Sequence, residues 1–323
     1  MPWSAAPVLY AEHRTALGRT VRVYWLAQHN IDGEYTSNDR IAALADTPAV
    51  ANVVFLRLGW HRQGFNAVQL AAWRAARCTL VVAANTADER AELTASGVRA
   101  VWANHNAFLD ERLFAPRRPP FGRAPPPPRH DLLVLSRWDA WKRVDLARAA
   151  AASGARVALL GYGKAPPPSW ATDGSTPSAR VLNPLRDGLA LKLSKEEVAG
   201  ALASTAFGGV FSAREGACFS SMEMLLSGVP LITTPSEGGR DDFFVPDVNC
   251  VVAEPTTAGV AAALRAAQAR VWDHGAIRRL AVQALAAPRA RFAAELQRAY
   301  DALGVACAAA DEFAWAFTHK CGL

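Results

Sequence analysis

The sequence predicts an α/β protein with two Rossmann-like domains of parallel sheet in tandem, and three observations predict it. The chain has 323 residues, more than one domain usually holds and a fit for two. Short β-branched and leucine-rich runs alternate with alanine-rich helical stretches in both halves, the rhythm of strands covered on both faces by helices. That rhythm breaks at PRRPPFGRAPPPPR (116–129), where proline removes backbone donors and favours an extended course closed to helix and central strand alike.

Taken in order, the runs of the first half are TVRVYWL (20–26), NVVFLRL (52–58), CTLVVAA (78–84) and VRAVWA (98–103). The proline stretch reads as a semi-rigid linker. Beyond it come DLLVLS (131–136), ARVALLG (155–161), FGGVFS (207–212), VPLITT (229–234) and NCVVAEP (249–255). Ser194 with Glu197 makes a capping box that opens a helix toward Ser204, and a helix around 220–226 stops at Gly228 with Pro230 just beyond. From about Gly259 to Phe317 the chain is alanine-rich and helical in pattern.

Composition excludes several classes. At 51% apolar and 20% charged residues the chain is too apolar for disorder, yet its apolar stretches are interrupted far short of the roughly 20 residues a membrane span needs. The N-terminus lacks the basic start, compact apolar stretch and cleavage site of a signal peptide. The five cysteines lie far apart, so neither a disulfide scaffold nor a cysteine-rich zinc site is expected, and a reducing cytoplasm fits. The net charge of +6 is largely local: Arg112, Arg117, Arg118, Arg123 and Arg129 cluster around the linker with no acidic residue among them. No aromatic RNA-binding signature or zinc-finger spacing accompanies it, so nucleic acid is not an expected partner.

Ligands of open α/β sheets sit beyond the carboxyl ends of the strands, which directs attention to the residues after each run. Glu215 leaves a strand end and Glu223 follows eight residues later on the first turns of a helix, so both carboxylates can face one crevice. Such carboxylates can bind sugar or ribose hydroxyls, while backbone N–H groups of residues 216–220 can hold phosphate oxygens. A solvated surface Glu and a helix-capping Glu explain the same spacing. Arg137 after a strand and Lys142 five residues on can bracket a diphosphate and stabilise a departing negative charge; a solvated basic face is the plainer explanation. Two cations and two carboxylates at strand ends of one Rossmann-like unit together match the needs of a nucleotide sugar. LLGYGK (159–164) has only two glycines and prolines where a dinucleotide fingerprint needs a helix, so Gly161 and Gly163 suit a tight turn near a nucleotide rather than an NAD site.

These segments resemble a family, the retaining GT-B glycosyltransferases of the "group 1" (family 4-like) type. EGACFSSME (215–223) looks like that family's Glu-x7-Glu motif and is followed by LLSGVPLITTPSEGGRDD (225–242). LLVLSRWDAWKRVDLARAA (132–150) is similar to the opening of its donor domain, with RVALLGYG (156–163) and LSKEEVAGALASTAFGGVFSAREG (193–216) between the two. The resemblance covers roughly residues 98–290 and implies a GT-B-like α/β fold, two Rossmann-like domains with parallel sheets facing across a cleft. The implied organisation is a reduced N-terminal acceptor-side domain (1–116), the linker (117–129), a nucleotide-sugar donor domain (130–290) and a helical segment (291–323) packing back toward the first domain.

Carried over, the resemblance implies that Arg137 and Lys142 contact the donor diphosphate, Glu223 the ribose hydroxyls and Glu215 the transferred sugar. Gly216, Cys218, Phe219 and Ser220 would line the pyrophosphate and sugar, with cysteine at 218 where the family usually has glycine. It implies that neutralising Glu215 leaves binding of the free nucleoside diphosphate nearly unchanged. A first-domain histidine often reaches the donor sugar in the family: His29 is the best positional candidate, then His105 and His61, with Asn104 and Asn106 also near a strand end. The expected function is transfer of a sugar from a nucleoside-diphosphate sugar to an acceptor hydroxyl, as on a glycan, with retention. No metal or other cofactor is expected, since the chain has no Asp-x-Asp triplet. The alternatives are a nucleotide-sugar epimerase or hydrolase on the same fold, and a glycan- or nucleotide-binding protein without turnover.

Overall fold

A computed structural model describes residues 7–27, 37–58, 65–116, 127–161, 165–166, 170 and 179–312. His29, His61, Gly163 and linker residues 117–126 lie outside the described residues. The chain divides into two compact units, one taking residues up to Leu109 and from Leu285 onward, the other Asp110–Ala284.

The first unit is built on β1 (Val8–Arg14), β2 (Thr20–Ala27), α1 (Ser37–Ala43), β3 (Val50–Arg57), α2 (Ala67–Arg74), β4 (Thr79–Ala84), α3 (Ala87–Ala95) and β5 (Ala100–Trp102). The sheet runs β1-β2-β3-β4-β5, and β2 to β5 are parallel. The four strands expected from the sequence are parallel, and β1, which the sequence reading did not include, joins their edge by pairing antiparallel with β2. The reason lies in the connection: the short turn after Arg14, closed by the Gly18 N–H donating to the Thr15 carbonyl, is far below the dozen residues a parallel crossover requires.

In the second unit, β6 (His130–Leu135), α4 (Arg148–Ala152), β7 (Val157–Leu160) and β8 (Ala179–Val181) precede a small hairpin of β9 (Leu185–Arg186) and β10 (Leu189–Ala190). Then come α5 (Lys195–Leu202), β11 (Thr205–Val210), α6 (Phe219–Leu226), β12 (Leu231–Thr233), β13 (Cys250–Val252) and α7 (Thr257–Gln268). The six-stranded sheet is parallel throughout in the order β13-β12-β11-β6-β7-β8. Strand order reverses between β6 and β11, so the loops leaving these neighbours part to opposite faces and open a crevice at their carboxyl ends.

Local chemistry fixes the helices that matter to this crevice. The Ser194 hydroxyl accepts from the Glu197 N–H at 3.1 Å and the Glu197 carboxylate accepts from the Ser194 N–H at 2.7 Å, completing the capping box that starts α5. At the end of α6, Gly228 takes φ +73°, its N–H reaching the Leu225 carbonyl and that of Val229 the Met224 carbonyl. A β-carbon at Gly228 would also stand 2.8 Å from the His274 carbonyl oxygen, so glycine is required there twice over.

A 30-residue helix, α8 (His274–Leu303), starts in the second unit and ends in the first, and α9 (Ala309–Glu312) follows. Pro288 inside it cannot donate to the Ala284 carbonyl, the last residue of the second unit. Within the first unit, Phe292 stands 4.4 Å from Phe55 and 5.0 Å from Phe108 between ring centroids, and Arg291 lies over Trp102 at 4.2 Å. Each aromatic pair adds roughly 0.5–1.5 kcal/mol to the area that it buries. Among the described residues, no helix is long and apolar enough to cross a membrane.

Candidate binding site at the carboxyl ends of β6 and β11

Lys142 and Glu215 leave the two strands that flank the reversal, and the structure brings them into direct contact. After β6 the chain enters a 3-10 turn, Ala140–Lys142, that ends on Arg143 in the left-handed region (φ 49°, ψ 38°). A non-glycine residue is held there only when its surroundings overdetermine it. Arg143 meets that requirement by donating to the Phe211 carbonyl at 2.6 Å, the Thr234 hydroxyl at 3.0 Å and the Pro235 carbonyl at 3.1 Å. The turn is therefore pinned to the ends of β11 and β12, and Lys142 is carried into the crevice.

Glu215 is held from the opposite side. The Ala213 N–H donates to the Trp141 carbonyl at 2.8 Å, and the Glu215 N–H to the Glu237 carbonyl at 2.9 Å. Oε1 of Glu215 accepts from the Ser212 hydroxyl at 2.7 Å and from Lys142 Nζ. Both side chains are buried, with 3% of Glu215 and 10% of Lys142 exposed, so solvent screens the pair little.

Arg240 underlies the same loop. Its side chain is fully buried and donates to the Ser212 carbonyl at 3.0 Å, to the Thr234 carbonyl and to Asp241 Oδ1 at 2.6 Å. Its charge, together with burial, draws the Arg143 guanidinium below the ordinary arginine value, burial being the larger cause. Two arginines thus secure the carbonyls of the crevice floor while Lys142 is turned to a carboxylate.

The amino end of α6 opens beside Glu215. Its N-cap, Cys218, has extended dihedrals and makes no side-chain cap, so the first-turn N–H groups of the helix are not closed by that residue. The Cys218 sulfur lies 3.1 Å from the Ser220 hydroxyl, and burial, with the Glu215 charge second, raises its thiol above the ordinary value. Cys218 is thus a neutral wall of the site. Glu223, also buried, accepts at Oε1 from Lys195 Nζ at 2.8 Å, and that ammonium stands 5.5 Å from the centre of the Phe219 ring. Lys192 joins the group: its ammonium is drawn below the usual lysine value by burial first and the Lys195 charge second, with Glu223 opposing.

Arg137 pairs with Asp139, its Nε standing 3.3 Å from Oδ2. The two carboxylates of the Glu-x7-Glu spacing likewise each hold a different lysine. Gly161 ends β7 for a packing reason: a β-carbon there would overlap the indole of Trp138. Its N–H donates to Asn183 Oδ1 at 2.7 Å and its carbonyl accepts from Asn183 Nδ2 at 2.6 Å. His105, Asn104 and Asn106 are buried in the first unit after β5, in a 3-10 turn whose start is closed by Asn104 Oδ1 accepting from the Asn106 N–H at 3.1 Å.

Sequence reasoning missed Arg143, Arg240, Lys195, Asn183 and Trp138. A signal existed for Lys195 alone, since the capping box at Ser194 places it at the first helical position. Among the described residues, no cluster of three His, Cys, Asp or Glu side chains is grouped to hold a metal ion.

No protein-family model and no curated protein matches the chain. Solved structures do. The chain is similar to the α,α-trehalose 6-phosphate synthase of Burkholderia multivorans at 14% identity and TM-score 0.53, over 87% of this chain and 71% of that one. It is similar to Anabaena HepE in complex with UDP and glucose at 17% identity and TM-score 0.51, over 78% and 71%. The third is sucrose-phosphate synthase from Thermosynechococcus elongatus, at 16% identity and TM-score 0.50, over 79% and 68%. The likeness is one of fold: two Rossmann-like units of the GT-B type, as the sequence resemblance implies.

Proposed function

We propose that the chain is a glycosyltransferase that takes a sugar from a nucleoside-diphosphate sugar and passes it, with retention, to an acceptor hydroxyl such as that of a glycan. The observation that carries this reading is the meeting of Lys142 and Glu215 at the strand-order reversal, with the amino end of α6 beside them. A cation, a carboxylate and a helix amino terminus supply what a diphosphate ester of a sugar needs: charge for the phosphates, an acceptor for sugar hydroxyls and N–H groups for phosphate oxygens. The fold likeness to a protein solved with UDP and glucose supports the same ligand class.

In this reading the bond between the anomeric carbon and the diphosphate oxygen breaks, and Arg137 and Lys142 stabilise the charge that grows on the departing diphosphate. Removal of one such preorganised contact typically costs about 2.7–4 kcal/mol of barrier. Attack on the same face forms the new bond to the acceptor oxygen, whose proton passes to the leaving phosphate oxygen. Glu215 holds the sugar and Glu223 the ribose, with the backbone of Gly216, Cys218, Phe219 and Ser220 along the pyrophosphate. In this reading Gly161 and Gly163 are assigned to the nucleotide and His29 to the sugar.

The test is a thermal-shift screen of sugar nucleotides and nucleoside diphosphates, followed by transfer of labelled sugar from the best ligand to an acceptor panel. A ligand at 100 times its dissociation constant raises stability by about 2.7 kcal/mol, a readily measured shift. Stabilisation without transfer or hydrolysis points to a binding protein, and no stabilisation by any nucleotide removes the reading.

A further inference from the structure

We infer that Glu215 is an internal competitor of the diphosphate for Lys142, so that the site discriminates the intact donor from the nucleoside diphosphate it leaves behind. The inference rests on the reading of the site as one for a nucleotide sugar.

The pair is not a chance meeting of two flexible side chains. Lys142 comes from a turn that Arg143 ties to two strand ends, and Glu215 from a loop tied to Trp141 and Glu237. Ser212 holds the same oxygen of Glu215 that Lys142 contacts. A buried ammonium so matched has little uncompensated charge to offer an anion, and a buried carboxylate beside it repels one. A diphosphate therefore takes Lys142 only when Glu215 is given another partner.

The intact donor brings that partner, because its sugar carries hydroxyl groups that donate to the carboxylate. The free nucleoside diphosphate brings none and places its charge against Glu215. Once the sugar has left, the carboxylate returns to Lys142 and the bare diphosphate is displaced. Glu215 thus weakens product binding as well as holding the sugar. The resemblance alone implies that neutralising Glu215 leaves binding of the free diphosphate unchanged; the pairing implies that it tightens it.

The experiment is calorimetry of the full chain and of Glu215→Gln against UDP, GDP, ADP and inorganic pyrophosphate, with the corresponding sugar nucleotides alongside. The expected result is nucleoside diphosphate and pyrophosphate binding several-fold tighter in the variant, with no matching gain for the sugar nucleotide. Binding that appears only in the variant supports masking equally. Equal or weaker diphosphate binding in the variant, with clear binding by the parent, overturns the inference and leaves the nucleotide-sugar reading standing; absence of binding by both proteins overturns both. Should the glutamine variant fail to fold, Glu215→Asp shortens the reach to Lys142 while keeping the charge, and a smaller gain in diphosphate binding is expected of it; no gain in Glu215→Asp would then overturn the inference.

Discussion

Lys195 Nζ donates to Oε1 of the buried Glu223 carboxylate at 2.8 Å. The lysine stands at the first position of α5, where the Ser194 capping box fixes the helix start. One helix terminus therefore orients a carboxylate on another.

If that carboxylate takes ribose hydroxyls, Glu223→Gln weakens every nucleotide ligand, with or without its sugar. A hydrogen bond to a charged group contributes about 1.5–3 kcal/mol, so losses of about tenfold or more are expected in calorimetry. Lys195→Met should show a smaller loss of the same pattern, and Lys195→Arg should restore part of it. Unchanged nucleotide affinity in Glu223→Gln would remove the ribose assignment.

Lys142 and Arg137 separate binding from stability. Both alanine variants are expected to lose sugar-nucleotide affinity by about tenfold or more, this being the ligand whose sugar occupies Glu215 and frees Lys142. Lys142→Ala also strands a buried carboxylate, and breaking such a pair typically costs about 3–5 kcal/mol. Arg137 is about one-third exposed, so solvent screens its contact with the buried Asp139 at 3.3 Å, and its removal is expected to cost less than that of Lys142. Denaturant midpoints check the contrast, and Lys142→Met combined with Glu215→Gln should recover most of the stability that Lys142→Ala loses.

Much of this was legible in the sequence, and the remainder illustrates what local pattern does not carry. The parallel strands of both units other than β8 were readable because burial on two faces writes itself as continuous runs such as NVVFLRL and DLLVLS, whereas the three residues of β8 are too few and too exposed to do so. β1 was not, since VLYAEHR alternates too irregularly and shows its strand character only once paired with β2. Glu215, Glu223, Arg137 and Lys142 were readable as candidates from spacing at strand ends. Their partners were not: Lys142 reads as a companion of Arg137, five residues away, but bonds Glu215, 73 residues on. Arg143 and Arg240 serve backbone carbonyls, which every residue possesses, so no sequence pattern marks the acceptors.

Gly161 is expected to tolerate no side chain while Trp138 is present. In Gly161→Ala the new methyl overlaps the indole, and overpacking of this kind costs about 1–3 kcal/mol. Among the described residues Trp138 Nε1 is buried without a hydrogen-bond partner, so a smaller side chain at this position forfeits no polar contact with them. Gly161→Ala combined with Trp138→Leu should therefore be less destabilised than the sum of the single variants, measured as a thermal-unfolding cycle. Strict additivity would mean that the two residues do not interact.

The thiols of Cys78, Cys218 and Cys250 should be inert in the folded chain. Burial pushes Cys78 and Cys250 up to about 12, and it raises Cys218 as well. At about pH 8 the thiolate fraction of Cys78 and Cys250 is then on the order of one in ten thousand, against roughly a quarter for an ordinary cysteine. Alkylation mapped by mass spectrometry should spare Cys78, Cys218 and Cys250 until denaturant is added. Rapid labelling of Cys218 in the native protein would show instead that the amino end of α6 is open to reagent and that its thiol is ionised.

Asp131, the second residue of β6, ties that strand to β7 through Arg156. Its Oδ1 accepts from Arg156 Nη2 at 2.6 Å, and Oδ2 accepts from Arg156 Nε at 3.1 Å and from the Arg156 N–H at 2.7 Å. The side-chain bonds to Arg156, and after them the backbone bond, hold the carboxyl below its ordinary value against the opposing effect of burial. A carboxyl depressed in the folded state binds its proton more tightly in the unfolded chain, so its contribution is complete above the unfolded value and disappears as pH falls through the folded one. Because the Arg156 side chain is more than half exposed, solvent screening limits that contribution to about 1 kcal/mol. Asp131→Asn should therefore be less stable than the parent by up to this amount near neutrality, and the difference should close on acidification below the folded-state value. Urea midpoints of both proteins across the acid range give the comparison, and a difference that stays constant with pH would assign the loss to geometry at the strand start rather than to the ionised carboxylate.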